Sequence, residues 1–239
     1  MNPPRVYIPD LTGVRAIAAY LIFFSHLAIS RIFLEFHIGV TIFFVLSGFL
    51  ITYLYYQNAE LNWPWLKAFY IKRFARVYPV LALVTIVGLI LLGSDWKTWI
   101  LSLTLLKGFS FQYVYSGLPQ AWTLTVEAVF YLLAPLIFVL DKKGFSVWLQ
   151  FIGIFLIGVL ITGWGEWQQL YDPAAFITSH LFMFRLTFFG QAFAFLAGVL
   201  LAKFVLANTN QPTRFVFFEG LLTYGGLSVI IGLTGVLVS

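Results

Sequence analysis

The chain reads as an all-α, polytopic integral membrane protein, a bundle of about seven crossing helices. Three observations lead there. Of 239 residues, 61% are hydrophobic and 10% charged, with a mean hydropathy of +0.94, whereas soluble domains carry roughly 25% charged residues. A fold of this length in water could not hide so much apolar surface, but in a bilayer lipid solvates the outer faces. Apolar runs near the roughly 20 residues needed to span hydrocarbon recur along the chain. The 27 Phe, 12 Tyr and 8 Trp suit helix interfaces and the headgroup zone.

Residues 11–30 form the first span, with Asp10 as its N-cap and Thr12 and Gly13 in the first turn. The run carries Arg15 and His26 and lacks a small-residue cleavage site, so it reads as a retained helix and not a signal peptide. Residues 38–56 are the second span. Residues 62–76 mix Trp63, Trp65 and Tyr70 with Lys67, Lys72, Arg73 and Arg76, as in an amphipathic helix lying at the interface. Residues 77–92 are the third span, opened by Tyr78-Pro79. Residues 119–140, 147–164, 181–205 and 219–238 complete seven.

Residues 96–111 are short and interrupted by Lys107. They read either as a re-entrant or interfacial segment or as an eighth span, and charge arbitrates. With a cytoplasmic N-terminus and no crossing there, nine of the 14 Lys and Arg fall inside, only Arg31, Lys97 and Lys107 fall outside, and Arg15 and Arg185 lie within spans. A crossing would move Lys142 and Lys143 outside. The excess of cations expected in cytoplasmic loops therefore favours seven crossings.

There is no cysteine, which excludes disulfides, thiolate metal sites and a cysteine nucleophile. Three scattered histidines make no metal-ligand spacing, and no metal site is expected. No Walker-type glycine loop is present. The net charge of +5 points to cytoplasmic loops and an anionic bilayer surface and not to nucleic acid. No internal repeat is visible.

Ionisable residues inside spans are costly, so each is a functional candidate. Arg15 and His26 are eleven residues apart, which puts them on one helix face about 16 Å apart along the axis. The plainer reading is a snorkelling arginine and a histidine bonded to a neighbouring helix. Arg73 and Arg76 are i, i+3 beside Lys72, a guanidinium pair able to hold phosphate; such cations also serve merely to fix topology. Glu127 lies about 10 Å into its span, counted from Pro119, at a depth where His26 could meet it. A carboxylate there would orient and charge-balance a histidine base. Tyr131, one turn on, shares its face. The plainer alternative is a structural pair between Glu127 and Arg185. Ser47-Gly48 reads as close helix packing, and His37 and His180 as interfacial.

Four ordered blocks resemble the acyltransferase 3 family of integral membrane acyltransferases. They are Ile8-Pro-Asp10 through Arg15 with His26; Gly39 through Ser47-Gly48 to Ile51; Lys72-Arg73-Phe-Ala-Arg76-Val-Tyr78-Pro79; and Ala121-Trp122 through Glu127 and Tyr131 to Pro135. The likeness covers residues 8–140 and is only hydropathic beyond. It implies one domain over residues 1–239, belonging to a bundle of about ten spans whose C-terminal helices are missing here. It also implies transfer of an acyl group, typically acetyl, from cytoplasmic acyl-CoA to a hydroxyl of an extracytoplasmic glycan or similar acceptor. His26 and Glu127 map onto the catalytic positions, Arg15, Lys72, Arg73 and Arg76 onto the donor site, and Trp122 and Tyr131 onto the acceptor side. Acyl-CoA is then a co-substrate, no cofactor is tightly bound, and the location is the cell membrane. Ala128 stands where many relatives have a second Glu. The rival reading is a transporter or channel for a lipid-linked or hydrophobic solute, since intramembrane Arg, His and Glu also suit a proton or anion path; a non-catalytic scaffold is the third.

Overall fold

The computed structural model describes residues 9–25, 37–169, 177 and 179–208, and among these are eight α-helices, two 3₁₀ turns and no strand. Helix α1 (Pro9–Ser25) opens on Pro9, whose missing N–H would have no helical partner there in any case. Asp10 therefore stands inside the first turn and not at the cap. Helix α2 (His37–Tyr55) follows.

Helix α3 (Trp63–Leu91) corrects the sequence reading. Asn62 caps it, its side-chain oxygen accepting from the Trp65 N–H at 2.9 Å, and Pro64 sits in the first turn. No break separates the basic stretch from the apolar one, and the helix runs on through Pro79. Membrane helices tolerate such a proline because neighbours satisfy the freed carbonyl. Arg73 and Arg76 thus stand about 15 and 20 Å along a single helix and not in a separate interfacial one.

Helix α4 (Trp96–Leu103) and the 3₁₀ turn Lys107–Phe109 occupy the ambiguous segment. Eight helical residues rise only about 12 Å. A second 3₁₀ turn, Pro119–Ala121, leads into α5 (Trp122–Lys142). The C-terminal ends of α2, α5 and α8 (Phe188–Ala207) lie together. There Asp141 Oδ2 accepts from the Tyr56 hydroxyl at 2.5 Å and pairs with Lys203 at 2.5 Å. Lys142 donates to the Gln57 and Ala59 carbonyls at 2.8 and 3.2 Å, sealing the turn that follows α2. With the ends of α2 and α5 on one side and one long helix between them, residues 92–118 leave and rejoin the opposite side without crossing.

Helix α6 (Val147–Gln169) returns along the bundle. The next expected span is two helices, α7 (His180–Leu186) and α8, broken at the extended residue Thr187. Gln191 compensates by donating to the Arg185 carbonyl at 2.8 Å and the Phe184 carbonyl at 3.4 Å. Among the described residues, five segments are long and apolar enough to span: Ile38–Tyr55, Trp63–Leu91, Pro119–Lys142, Val147–Gln168 and His180–Ala207. The end of the first expected span and all of residues 219–238 lie outside the described residues.

Helices α2 and α8 pack most closely. A Cβ on Gly48 would strike the Phe195 carbonyl, and one on Gly198 the Val45 carbonyl, so glycine permits the approach at both positions. Phe195 stacks on Phe44 of α2 at 4.9 Å and on Phe130 of α5 at 4.2 Å. Lipid is as apolar as these rings, so close fit and dispersion, not release of water, hold the three helices. Leu83, Val87 and Ile90 of α3 and Leu160 of α6 face outward, as expected where lipid is the solvent.

Candidate active site

Glu127 is the sixth residue of α5 and is half-buried. Its Oε1 accepts from the Ser47 hydroxyl at 2.7 Å and from the Tyr131 hydroxyl one turn on. A carboxylate holding two O–H donors on one oxygen is fixed in rotamer and keeps its second oxygen for another partner. Ser47 comes from α2, so the bond crosses between helices. No ion pair joins Glu127 to Arg185 or to Arg73 among the described residues.

Arg73 faces the same place from α3. Only 7% of it is exposed. Its guanidinium lies 4.9 Å from the Tyr55 ring centroid, 5.8 Å from that of Tyr131 and 6.0 Å from that of Phe69. Its Nε has no hydrogen-bond partner. Each ring face stabilises a desolvated cation by about 2 kcal/mol or more, but none offers an acceptor to the guanidinium N–H donors. This guanidinium is therefore arranged to receive an anion or a carbonyl dipole.

Arg73, Glu127 and Tyr131 line a cleft of about 200 Å³ between α3 and α5. Its walls continue with Val77, Leu124 and Ala128 toward Leu105. Tyr70 and Tyr78 pin its two ends, donating to the Leu132 carbonyl at 2.9 Å and the Leu103 carbonyl at 3.0 Å. Leu105 has a left-handed backbone, φ 61°, a costly conformation for a branched residue.

Lys107 secures that cap. It is 1% exposed, and its ammonium donates to the Ser116 and Leu118 carbonyls at 2.7 and 2.6 Å. Burial pushes its pKa down from 10.5 to about 8. Read from the sequence as the charge that interrupts this segment, it ties together the loop that delivers the chain to α5.

The other candidates sit as follows. Lys72 and Arg76 are exposed and do not line the cleft. Trp122 is buried in the core, edge-on to Phe44 at 6.5 Å. The backbone of Arg15 belongs to α1, but its side chain, like all of His26, lies outside the described residues. The structure thus brings Arg73, Glu127 and Tyr131 together and leaves Lys72, Arg76 and Trp122 apart from them. It adds Ser47 and Tyr55. Ser47 carried a signal, a hydroxyl in an otherwise apolar run, where such groups commonly bond across helices.

A bilayer-spanning helix bundle with a buried acid–tyrosine–arginine cleft is the class of protein that fold and site define. The sequence profile of the acyltransferase domain matches residues 8–238, and the chain belongs to that family. It is 30% identical over 176 residues to an acyltransferase, MdmB, of Streptomyces mycarofaciens, covering 59% of this chain and 42% of that protein. It is 33% identical over 153 residues to the peptidoglycan O-acetyltransferase OatA of Listeria monocytogenes, covering 55% and 24%. It is 32% identical over 179 residues to a putative O-acetyltransferase of Staphylococcus aureus, covering 64% and 29%. The chain thus spans less than half the length of these relatives. No solved structure matches it. The family and these names agree with the enzyme class read from the sequence, an O-acyltransferase.

Proposed function

We propose that the protein transfers an acyl group, in the simplest case acetyl, from cytoplasmic acyl-CoA to a hydroxyl of a glycan or similar acceptor across the cell membrane. The N-terminus lies on the cytoplasmic side in this reading. The observation that carries it is the unpaired Arg73 facing the same intramembrane cleft as Tyr131 and Glu127, which Ser47 holds from α2, in a chain of the acyltransferase family.

His26 acts as the general base. It takes the acceptor's proton as the hydroxyl oxygen attacks the thioester carbonyl. The C–O bond forms, the C–S bond breaks, and the proton passes from His26 to the departing CoA sulfur. Glu127, held in one rotamer by Ser47 and Tyr131, orients His26 and offsets the imidazolium charge. Arg73 stabilises negative charge on the donor inside the bundle, and Arg15 the same further along the path. Lys72 and Arg76, at the exposed surface of α3, draw in the CoA phosphates. Trp122 packs the start of the helix that presents Glu127, and Tyr131 holds Glu127 and lines the cleft beside Arg73.

The test is release of CoA from acetyl-CoA by the full chain in lipid vesicles with a glycan extract, for wild type and His26→Ala. A general base typically contributes 10²–10⁴-fold, so the variant should lose acceptor-dependent release by at least that lower factor. Undiminished release by His26→Ala would remove its role. Heat protection of the wild type by acetyl-CoA is expected for the enzyme and not for a transporter of another solute.

A further inference from the structure

We infer that the upper half of the cleft between α3 and α5 is an acyl-chain pocket, that it accepts chains of about four to six carbons as well as acetyl, and that Ala128 sets this range. The inference rests on the reading of acyl-CoA as donor.

The cleft is two-ended. Toward the shared ends of α2, α5 and α8 it carries polar groups, on Tyr70, Arg73 and Tyr131, beside the apolar Phe74 and Leu132. Toward Leu105 it is apolar, with Val77 and Leu124. Glu127 and Ala128 stand between the two halves. At about 200 Å³ it falls below the roughly 300–1,000 Å³ of pockets that enclose drug-sized ligands. A nucleotide does not fit, but the reacting end of a thioester does. With its carbonyl oriented by the unpaired Arg73, the chain beyond it has one direction to run, along Ala128 toward Leu105.

Length follows from the helices. Four residues separate Arg73 from Val77 and Ala128 from Leu124, about 6 Å on each side. Extended chain advances about 3.5 Å per three backbone bonds, so five bonds or so fill that distance. The methyl of Ala128 is the smallest side chain on the wall at the waist. A larger residue there closes the way between the polar and apolar halves. The segment that ends the pocket does not give way, because Lys107 anchors its loop by two carbonyl bonds and a Cβ on Gly108 would meet Thr125 of α5 at 2.7 Å.

The experiment is displacement of labelled acetyl-CoA from the full chain in lipid by acetyl-, butyryl-, hexanoyl- and decanoyl-CoA. Displacement excludes acyl-CoA that merely dissolves in the bilayer. Each buried methylene is worth about fourfold, and the cleft is half open, so hexanoyl-CoA should bind on the order of 10- to 100-fold tighter than acetyl-CoA, with no further gain at decanoyl. Ala128→Leu should bring the hexanoyl/acetyl ratio close to one, and Leu124→Ala should move the best length upward by one or two carbons. Affinity independent of length in the wild type, or a ratio unmoved in both variants, would overturn the pocket while leaving the donor reading intact. Failure of acetyl-CoA itself to bind would bring down the donor reading and the pocket together.

Discussion

Glu127→Gln separates a positioning charge from a strut. In the wild type one carboxylate oxygen accepts from Ser47 and Tyr131. A glutamine of the same shape still offers an oxygen to both hydroxyls, so the cross-helix bond survives while the charge is lost. Hydrogen bonds to charged groups contribute about 1.5–3 kcal/mol and neutral ones about 0.5–1.5. The loss near 1 kcal/mol per bond is offset by no longer burying a carboxylate. Net destabilisation should stay within about 1 kcal/mol, a shift of roughly 2–4 °C for a chain of this size. Glu127→Ala removes the acceptor both hydroxyls share and leaves Ser47 and Tyr131 only each other, at about 1–3 kcal/mol for the one left without an acceptor. If the charge orients and balances His26, the glutamine variant should lose about 10²–10⁴ in transfer rate while melting near the wild type, whereas the alanine variant should lose both. The assay pairs CoA release with thermal unfolding in the same vesicles. A glutamine variant transferring at more than about a tenth of the wild-type rate would refute the reasoning, since a base helped by that charge cannot lose it so cheaply.

Other consequences can be measured independently. Lys107 is a cation whose folded pKa is depressed, so its charged form is disfavoured in the native state. Between about pH 8 and 10.5 the unfolded chain holds a proton that the native chain has released. Stability should therefore rise with pH across that window, on the order of 3 kcal/mol in all, and Lys107→Met should flatten that slope in thermal unfolding. Gly48→Ala should destabilise by about 1–3 kcal/mol, because its Cβ meets the Phe195 carbonyl, which cannot swing aside; a variant melting with the wild type would mean that α2 and α8 can part. Asp141→Asn should cost about 1–3 kcal/mol by unpairing Lys203, between the roughly 0–1 of exposed pairs and the 3–5 of broken buried ones because Lys203 is one-third exposed. Lys203→Met in that background should then add little, and full additivity of the two in a double-mutant cycle would deny the pair.

The five spans that the described residues contain were legible in the sequence because hydropathy is a local property, and Glu127 with Tyr131 was legible because an i, i+4 spacing already fixes which side chains meet on a helix. What failed was whatever depends on a neighbouring helix. The boundary drawn between residues 76 and 77 followed a change of composition, but helical hydrogen bonding follows the backbone and passes through Pro79. Ser47 lies 80 residues from Glu127, and nothing local announces that partner. Residues 96–111 were settled by where α2 and α5 end, at the Tyr56–Asp141 bond.

Arg73 and Arg76 show most clearly what the spacing leaves open. Three residues turn a helix by about 300°, so the pair is offset by about 60° around the axis. That is close enough to share a face in an isolated helix and far enough apart for one to point between helices while the other points out. The rotation of α3 decides, and two bonds set it: Tyr70 to the Leu132 carbonyl and Tyr78 to the Leu103 carbonyl. Tyr70 lies one turn before Arg73 and Tyr78 two residues after Arg76, and both bonds tie α3 toward the cleft. Arg73 is thereby turned inward among three aromatic rings, and Arg76 is left at the surface. One motif therefore divides into a cation buried inside the bundle and one exposed at its surface; in the proposed reaction the first meets the donor within the bundle and the second on its way in. Their alanine variants should differ in kind: Arg73→Ala should lower both donor affinity and transfer rate, and Arg76→Ala mainly the salt dependence of donor binding, because only exposed charges are strongly screened.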